Sequence, residues 1–224
     1  MDTESKDTGA AARTAEDIAQ AIAEAFAANA LTVEEEKRAR LVRYAEFLLE
    51  WNTKINLISR SSVGDFAAQH IADSALAALM LPRMRTLVDL GSGGGLPGIV
   101  IAILYPELQV TLAETKEKKI KYLRSCTESL NLQNVRVFDA AREPHTRNHE
   151  GVVCRAFSTL ENIVRESKKY LAPGGKIYAC KGKRSTVELE RAALSKKLRA
   201  TLRPYSLRTP DGGKCERTMV IIEP

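Results

Sequence analysis

Ten consecutive residues hold the densest chemistry in the chain: Asp89-Leu90-Gly91-Ser92-Gly93-Gly94-Gly95-Leu96-Pro97-Gly98. They follow the apolar run TLVDL and open the apolar run PGIVIAILY, the strand–loop–helix setting of a nucleotide-binding turn. Five glycines in eight residues let a ligand approach the backbone closely and allow positive φ. Pro97 suits a first helical turn, where a missing N–H costs nothing. Two ligand classes fit. Gly93, Gly95 and Gly98 spell the dinucleotide fingerprint, while Asp89, Gly91, Gly93 and Gly95 spell Asp-x-Gly-x-Gly-x-Gly, the loop of S-adenosylmethionine-dependent methyltransferases. Glu114, ending the next strand, is placed for ribose hydroxyls in either case. Asp89 favours the methyl donor, because an acid directed into the loop suits an ammonium group and repels a pyrophosphate. Asp139 and Ala140 end the third strand, where methyltransferases bind adenine.

The surrounding pattern is that of an α/β protein. Helical spacing covers 15–28, a helix start falls at Thr32 with Glu35 three residues on, and Leu41, Tyr44, Ala45, Leu48 and Trp51 share one stripe. Residues 52–64 have loop chemistry, and a helix is predicted from Asp65 or Phe66 to Leu81. Strands are then predicted at 86–90, 108–114, 135–139, 151–157, 176–182, 205–209 and 218–223. Helices alternate with them at 97–105, 116–130, 159–171 and, long and basic, 185–202. The alternation implies a Rossmann-like, seven-strand parallel sheet with a closing antiparallel hairpin. The expected organisation is a disordered tail at 1–13, a helical extension at 14–82 and a methyltransferase domain at 83–224, the last two forming one compact unit.

Composition narrows the class. An apolar fraction of 44% and a charged fraction of 28% are ordinary for a globular protein. No apolar run approaches the roughly 18 residues of a membrane span. The acidic start MDTESKDTGAA is unlike a signal peptide, so a cytoplasmic protein is expected. Cys126, Cys154, Cys180 and Cys215 are isolated, and His70, His145 and His149 are scattered, so reduced thiols and no metal site are expected. Net charge is +6, distributed unevenly: residues 1–40 hold 5 Lys/Arg against 9 Asp/Glu, and residues 165–224 hold 15 against 6. A basic C-terminal quarter suits a polyanion.

Taken in order, WNTKINLIS, HIADS, the glycine-rich stretch through ETKEKKIKYLR, RAF, ACKG and ERTMVIIEP resemble the RsmG (GidB) family from about residue 40 onward. That family methylates N7 of guanine 527 of bacterial 16S ribosomal RNA. The resemblance implies S-adenosylmethionine as cofactor, and 16S rRNA or the small ribosomal subunit as partner, with a monomer expected. It sets the methionine part of the cofactor against Gly91, Gly93, Gly95 and Leu96. Ribose and adenine fall near Glu114, Thr115 and Asp139, with Arg142 and Glu143 offering backbone. Ala141 stands where the family usually has arginine.

Arg155 matches the family's cofactor-binding and active-site arginine. Arg155 and Lys181 are expected to shape the target pocket, with Asn56, His70 and Asp73 as its cover; Asn56 as a loop cap and His70–Asp73 as a surface pair are equally open. Guanine N7 has a lone pair and no proton, so positioning suffices and no general base is required. Lys116, Lys118, Lys119, Lys183, Arg184 and Arg217 are candidate RNA contacts, as are Lys196 and Lys197; a solvated face explains the 116–124 run as well. An NAD-dependent oxidoreductase and a non-catalytic RNA-binding protein are the alternatives. Arg155→Lys is expected to keep thermal stability while losing activity.

Overall fold

The computed structural model describes residues 13–224 except 193, 196 and 197. Most of the predicted tail, and both Lys196 and Lys197, therefore lie outside the described residues. The chain opens with α1 (Ala15–Ala28) and α2 (Glu35–Asn52). The capping box is at Thr14 and Asp17, whose side chains bond each other's backbone N–H, and not at Thr32 and Glu35. Helix α2 instead starts after Glu34, which makes no side-chain cap. A wide π-helical stretch, Ala67–Ala72, runs into α3 (Asp73–Leu79), so the predicted 66–81 helix is not uniform. Such widened turns recur at functional sites, and this one carries Gln69 and His70.

The sheet follows. Its strands are β1 (Thr86–Leu90), β2 (Gln109–Glu114), β3 (Val135–Asp139), β4 (His149–Arg155), β5 (Leu171–Lys181), β6 (Arg199–Arg208) and β7 (Lys214–Glu223). Between them lie α4 (Gly98–Leu104), α5 (Glu117–Ser129), α6 (Leu160–Ser167) and α7 (Arg184–Ala192). The order is β3-β2-β1-β4-β5-β7-β6, parallel through β5, with β7 antiparallel between β5 and the edge strand β6. A dinucleotide-binding sheet of order 3-2-1-4-5-6 has no such inserted antiparallel strand.

The predicted long basic helix at 185–202 is corrected: α7 stops at Ala192, and Arg199–Arg208 pairs with β7 along its whole length. Leu194, Leu198 and Leu202 are spaced as a helical stripe, but ten paired positions on β7 outweigh local periodicity. Pro204 is tolerated because β6 is an edge strand.

The N-terminal helices share the sheet's core. Ile18, Ile22, Phe26, Leu41, Tyr44 and Leu48 are buried in one cluster with Ile99, Ile103, Leu112 and Leu123. Tyr44 of α2 and Tyr122 of α5 both donate to the Gly94 carbonyl, at 2.7 and 3.0 Å. The glycine-rich loop is thus held from below by two buried hydroxyls. One of them belongs to the helical extension.

Candidate active site

The loop 91–97 leaves the carboxyl end of β1, the edge where ligands bind in open α/β sheets. Gly91, Gly93 and Gly95 have φ of +71°, +54° and +88°, conformations that side chains resist. A Cβ on Gly93 would meet nothing nearer than 3.8 Å, so that part of the cradle is open. Beside it, Glu114 ends β2 with its carboxylate fixed: Oε2 accepts from Gly93 N–H (3.0 Å), and Oε1 from the N–H groups of Thr115 (2.7 Å) and Lys116 (2.9 Å). The Thr115 hydroxyl adds a long contact to Oε1 (3.5 Å), so of about four acceptor positions the one left is on Oε2, beside the Gly93 N–H.

Asp139 ends β3 alongside Glu114, and its Oδ1 accepts from Ala141 N–H at 3.1 Å. Glu143 folds back to accept from Asp139 N–H at 2.9 Å, closing the turn that Arg142 also flanks. Leu96 is buried beneath the loop.

Asp89 departs from expectation. It is fully buried, and Oδ2 accepts from Gly98 N–H at 3.0 Å, so the acid braces the start of α4 and does not enter the open face of the loop. Its Oδ1 is buried without a partner. Burial raises its pKa to about 7, against the lowering effect of the Gly98 bond.

A second group lies across β4, beside β1 in the sheet. Arg155 donates through Nη1 to the Gln69 carbonyl (2.9 Å) and reaches Asp73 (3.4 Å), while Nη2 contacts His70 Nδ1 (2.9 Å). Asp73, almost wholly buried, also receives Arg217 (3.4 Å) and the Tyr205 hydroxyl (3.1 Å). His70 and Asp73 are therefore no surface pair. Arg217, assigned from sequence to RNA contact, is half-buried and spends its Nε on Asp73.

These groups line a cavity of about 320 Å³ together with Cys180 and Lys181. Lys181 is tied by its ammonium to Ser158 O (2.7 Å) and Glu190 (2.8 Å). Asn56 is exposed and lines a separate depression with Leu57, Ile58 and Ser59. A larger cavity of about 680 Å³ lies at the opposite, amino end of the sheet, near Pro82, Met84 and Tyr105, away from the loop.

The sequence matches the family described as rRNA small subunit methyltransferase G over residues 37–207. The chain belongs to that family. It is 34% identical over 203 residues to the member from Azoarcus sp., covering 90% of this chain and 94% of that protein. The member from Anaeromyxobacter sp. is 38% identical over 168 residues, covering 73% and 78%. Among solved structures, M. jannaschii TYW2 in complex with AdoMet matches the fold with a TM-score of 0.51 and 13% identity, covering 76% of this chain and 78% of that one.

The remaining basic candidates separate into two positions. Lys116 and Lys118 are exposed at the start of α5, and Lys119 is half-buried with its ammonium 3.8 Å from where a Gly93 Cβ would lie. Lys183 and Arg184 are exposed after β5, with Arg184 held by Glu188 at 2.8 Å. Because β2 and β5 flank β1 and β4, the strands that lead into these two groups lie roughly 14 Å apart, three strand spacings. Both stand at the carboxyl edge. The four cysteines are free thiols, all buried except the half-buried Cys215. Among the described residues no helix is long and apolar enough to cross a membrane.

His70 sets a pH dependence. Burial, then the charges of Arg155 and Arg217, push its pKa from 6.5 down to about 3. With Arg155 donating to Nδ1, the proton belongs on Nε2, which faces Ser62 Oγ at 2.9 Å. Below about pH 6.5 the unfolded chain binds a proton that the folded chain refuses until about pH 3. The stability held above 6.5 is therefore lost as pH falls through that window. Asp89 slopes the other way, its contribution falling as pH rises from 3.8 through about 7. His70→Gln keeps an acceptor for Arg155 and removes the titration, so its melting temperature should depend less on pH between 3 and 6.5. An unaltered slope in that variant would remove His70 as its source.

Proposed function

We propose that the chain transfers a methyl group from S-adenosylmethionine to N7 of a guanine of 16S ribosomal RNA, at the position numbered 527 in its family, acting as a monomer on the small ribosomal subunit. The observation that carries this reading is the adjacency of two sites. The open glycine cradle with Glu114 ends β1 and β2, and the cavity with Arg155 and Lys181 ends β4 and β5. Since β1 pairs directly with β4, a donor in the first site and a base in the second would be neighbours.

When bound, the cofactor supplies a methyl group on a sulfonium, a good leaving centre for an in-line displacement. Gly91, Gly93 and Gly95 would hold its methionine part, Glu114 its ribose, and the backbone near Asp139–Glu143 its adenine. Arg155 is oriented by Gln69, His70 and Asp73 with its guanidinium beside the cavity, suited to hold a guanine edge through a planar fork. His70 is neutral and committed at both nitrogens, so it orients Arg155 and has no role as a base. The N7 lone pair needs no deprotonation, and alignment supplies the rate. Lys116, Lys118 and Lys183 at the rim would meet phosphates, adding affinity without reading sequence.

The decisive experiment offers labelled S-adenosylmethionine with small subunits lacking the mark, and separately with naked 16S RNA. Label is expected in one guanine, cleavable after reduction as an N7-methylated base is. Cofactor binding without transfer to either substrate would return the chain to the non-catalytic alternative.

A further inference from the structure

We infer that Asn52 is a positioning residue for methyl transfer: its side chain fixes residues 53–62, which touch the glycine-rich loop at one place and the Arg155 cluster at another. This rests on the methyl-transfer reading above and adds a segment that the reading leaves without a part.

Asn52 is the last residue of α2, and its Oδ1 accepts from two successive backbone N–H groups, Leu57 and Ile58, each at 2.9 Å. One oxygen thus closes the turn that leaves the helix and satisfies two donors that no regular element claims. The capping role open to Asn56 falls to Asn52, while Asn56 itself is exposed.

Two contacts follow from that turn. On one side Leu57 covers Gly94: a Cβ there would lie 3.5 Å from Leu57 Cβ and 3.6 Å from its carbonyl oxygen. Gly94 stands between Gly93 and Gly95 of the cradle, and its own carbonyl takes the hydroxyls of Tyr44 and Tyr122. The middle of the loop is therefore gripped by Leu57 as well as by two tyrosines.

On the other side, the buried Ile58 leads into the single turn Arg60–Ser62. Ser62 Oγ donates to the Ser59 carbonyl (2.9 Å) and accepts from His70 Nε2 (2.9 Å). His70 in turn presents Nδ1 to Arg155 at 2.9 Å. From the guanidinium to the Ser59 carbonyl each donor has its acceptor, and Ser62 is buried. The donor cradle and the base cavity are thus both set by one segment, and that segment by one side-chain oxygen. Alignment supplies the rate in this reaction, so a displaced segment costs turnover before it costs the fold.

The test uses the full chain at a temperature where circular dichroism shows each variant folded. Calorimetry reads S-adenosylhomocysteine affinity, and steady-state kinetics on small subunits lacking the mark read kcat and KM. Asn52→Ala should lose about three- to tenfold in cofactor affinity, the scale of one lost hydrogen bond. Its kcat should fall about ten- to hundredfold, as for a misplacement remote from the reacting atoms. Asn52→Asp keeps an oxygen acceptor for both N–H groups and should recover both values. Ser62→Ala breaks only the target-side contact, so its kcat should fall about tenfold while cofactor affinity stays native. If Asn52→Ala does not fold, Asn52→Ser, with a shorter acceptor, carries the same two readings. Native affinity and kcat in these variants would overturn the role, as would an Asn52→Asp protein as impaired as Asn52→Ala. Weakened cofactor affinity or an unchanged kcat in Ser62→Ala would overturn the division between the two ends. Failure of the native chain to bind cofactor would instead count against the methyl-transfer reading itself.

Discussion

Asp73→Asn should lower folding stability by about 3–5 kcal/mol and abolish methyl transfer. Asp73 sits with 4% of its side chain accessible between Arg155 and Arg217, which are 16% and 24% accessible. Removing one partner from a buried charge cluster leaves the others uncompensated, which costs about that much. An asparagine can still accept from Tyr205, but its NH₂ would face two guanidinium donors. In a chain of this length the loss corresponds to a fall in melting temperature of roughly 6–20 °C. Urea denaturation gives the first number and a thermal scan the second; a change below 1 kcal/mol would mean that water already screens the cluster.

Arg155→Lys is the milder companion, and here the structure revises the expectation of unchanged stability. Lysine cannot reproduce the bonds to Gln69 O and His70 Nδ1, so about 2–4 kcal/mol should go with activity. Activity must therefore be compared at a temperature where both proteins are folded.

Gly98→Ala should be nearly as damaging, by about 3 kcal/mol, although it adds one methyl group. A Cβ there would stand 2.5 Å from Leu112 Cδ2 and 2.6 Å from Asp89 Oδ2, inside a packed core with nowhere to yield. Gly93→Val separates function from fold. Its site has space, and the penalty is the positive φ, about 1–2 kcal/mol, while a branched side chain enters the open cradle. The Gly98 variant should melt early, and the Gly93 variant should melt close to the native chain while losing cofactor affinity in a calorimetric titration. Equal melting temperatures for the two would contradict this division of labour. Native cofactor affinity in Gly93→Val would place the ligand elsewhere.

Local patterns made the first half of the sheet legible. TLVDL, LQVTLAE and VRVFD are short strands bounded by turn residues; the first and third formed at the expected residues and the second begins one residue late, at Gln109. The glycine loop was legible because its chemistry is contiguous. The C-terminal quarter was not, since Arg199–Arg208 becomes a strand only through pairing with β7, a non-local contact that its leucine spacing opposes. Asp89 was expected to aim into the loop, and its carboxylate is instead turned to Gly98 N–H, because sequence does not say which side of a turn an acid occupies. The cluster around Asp73 was the least legible part. Tyr205 and Arg217 lie 132 and 144 residues from it, and Gln69 takes part through its backbone carbonyl, which any residue type could supply. Only the sheet order brings them together.

Asn29, just past α1, clasps the far end of the chain: its Nδ2 donates to Arg208 O (2.7 Å) and its Oδ1 accepts from Arg208 N–H (2.8 Å). During synthesis α1 and α2 emerge before the β6 backbone that Asn29 secures, and before the Tyr205 and Arg217 side chains that complete Asp73. At about 5–20 residues per second, Asn29 waits roughly 10–35 seconds for Arg208, whereas the partners of the apolar faces of α1 and α2, among them Ile99, Ile103, Leu112 and Leu123, emerge well before it. A chain stalled before Arg208 would hold the glycine-rich loop but lack Arg217, leaving Asp73 with Arg155 as the one arginine of its pair.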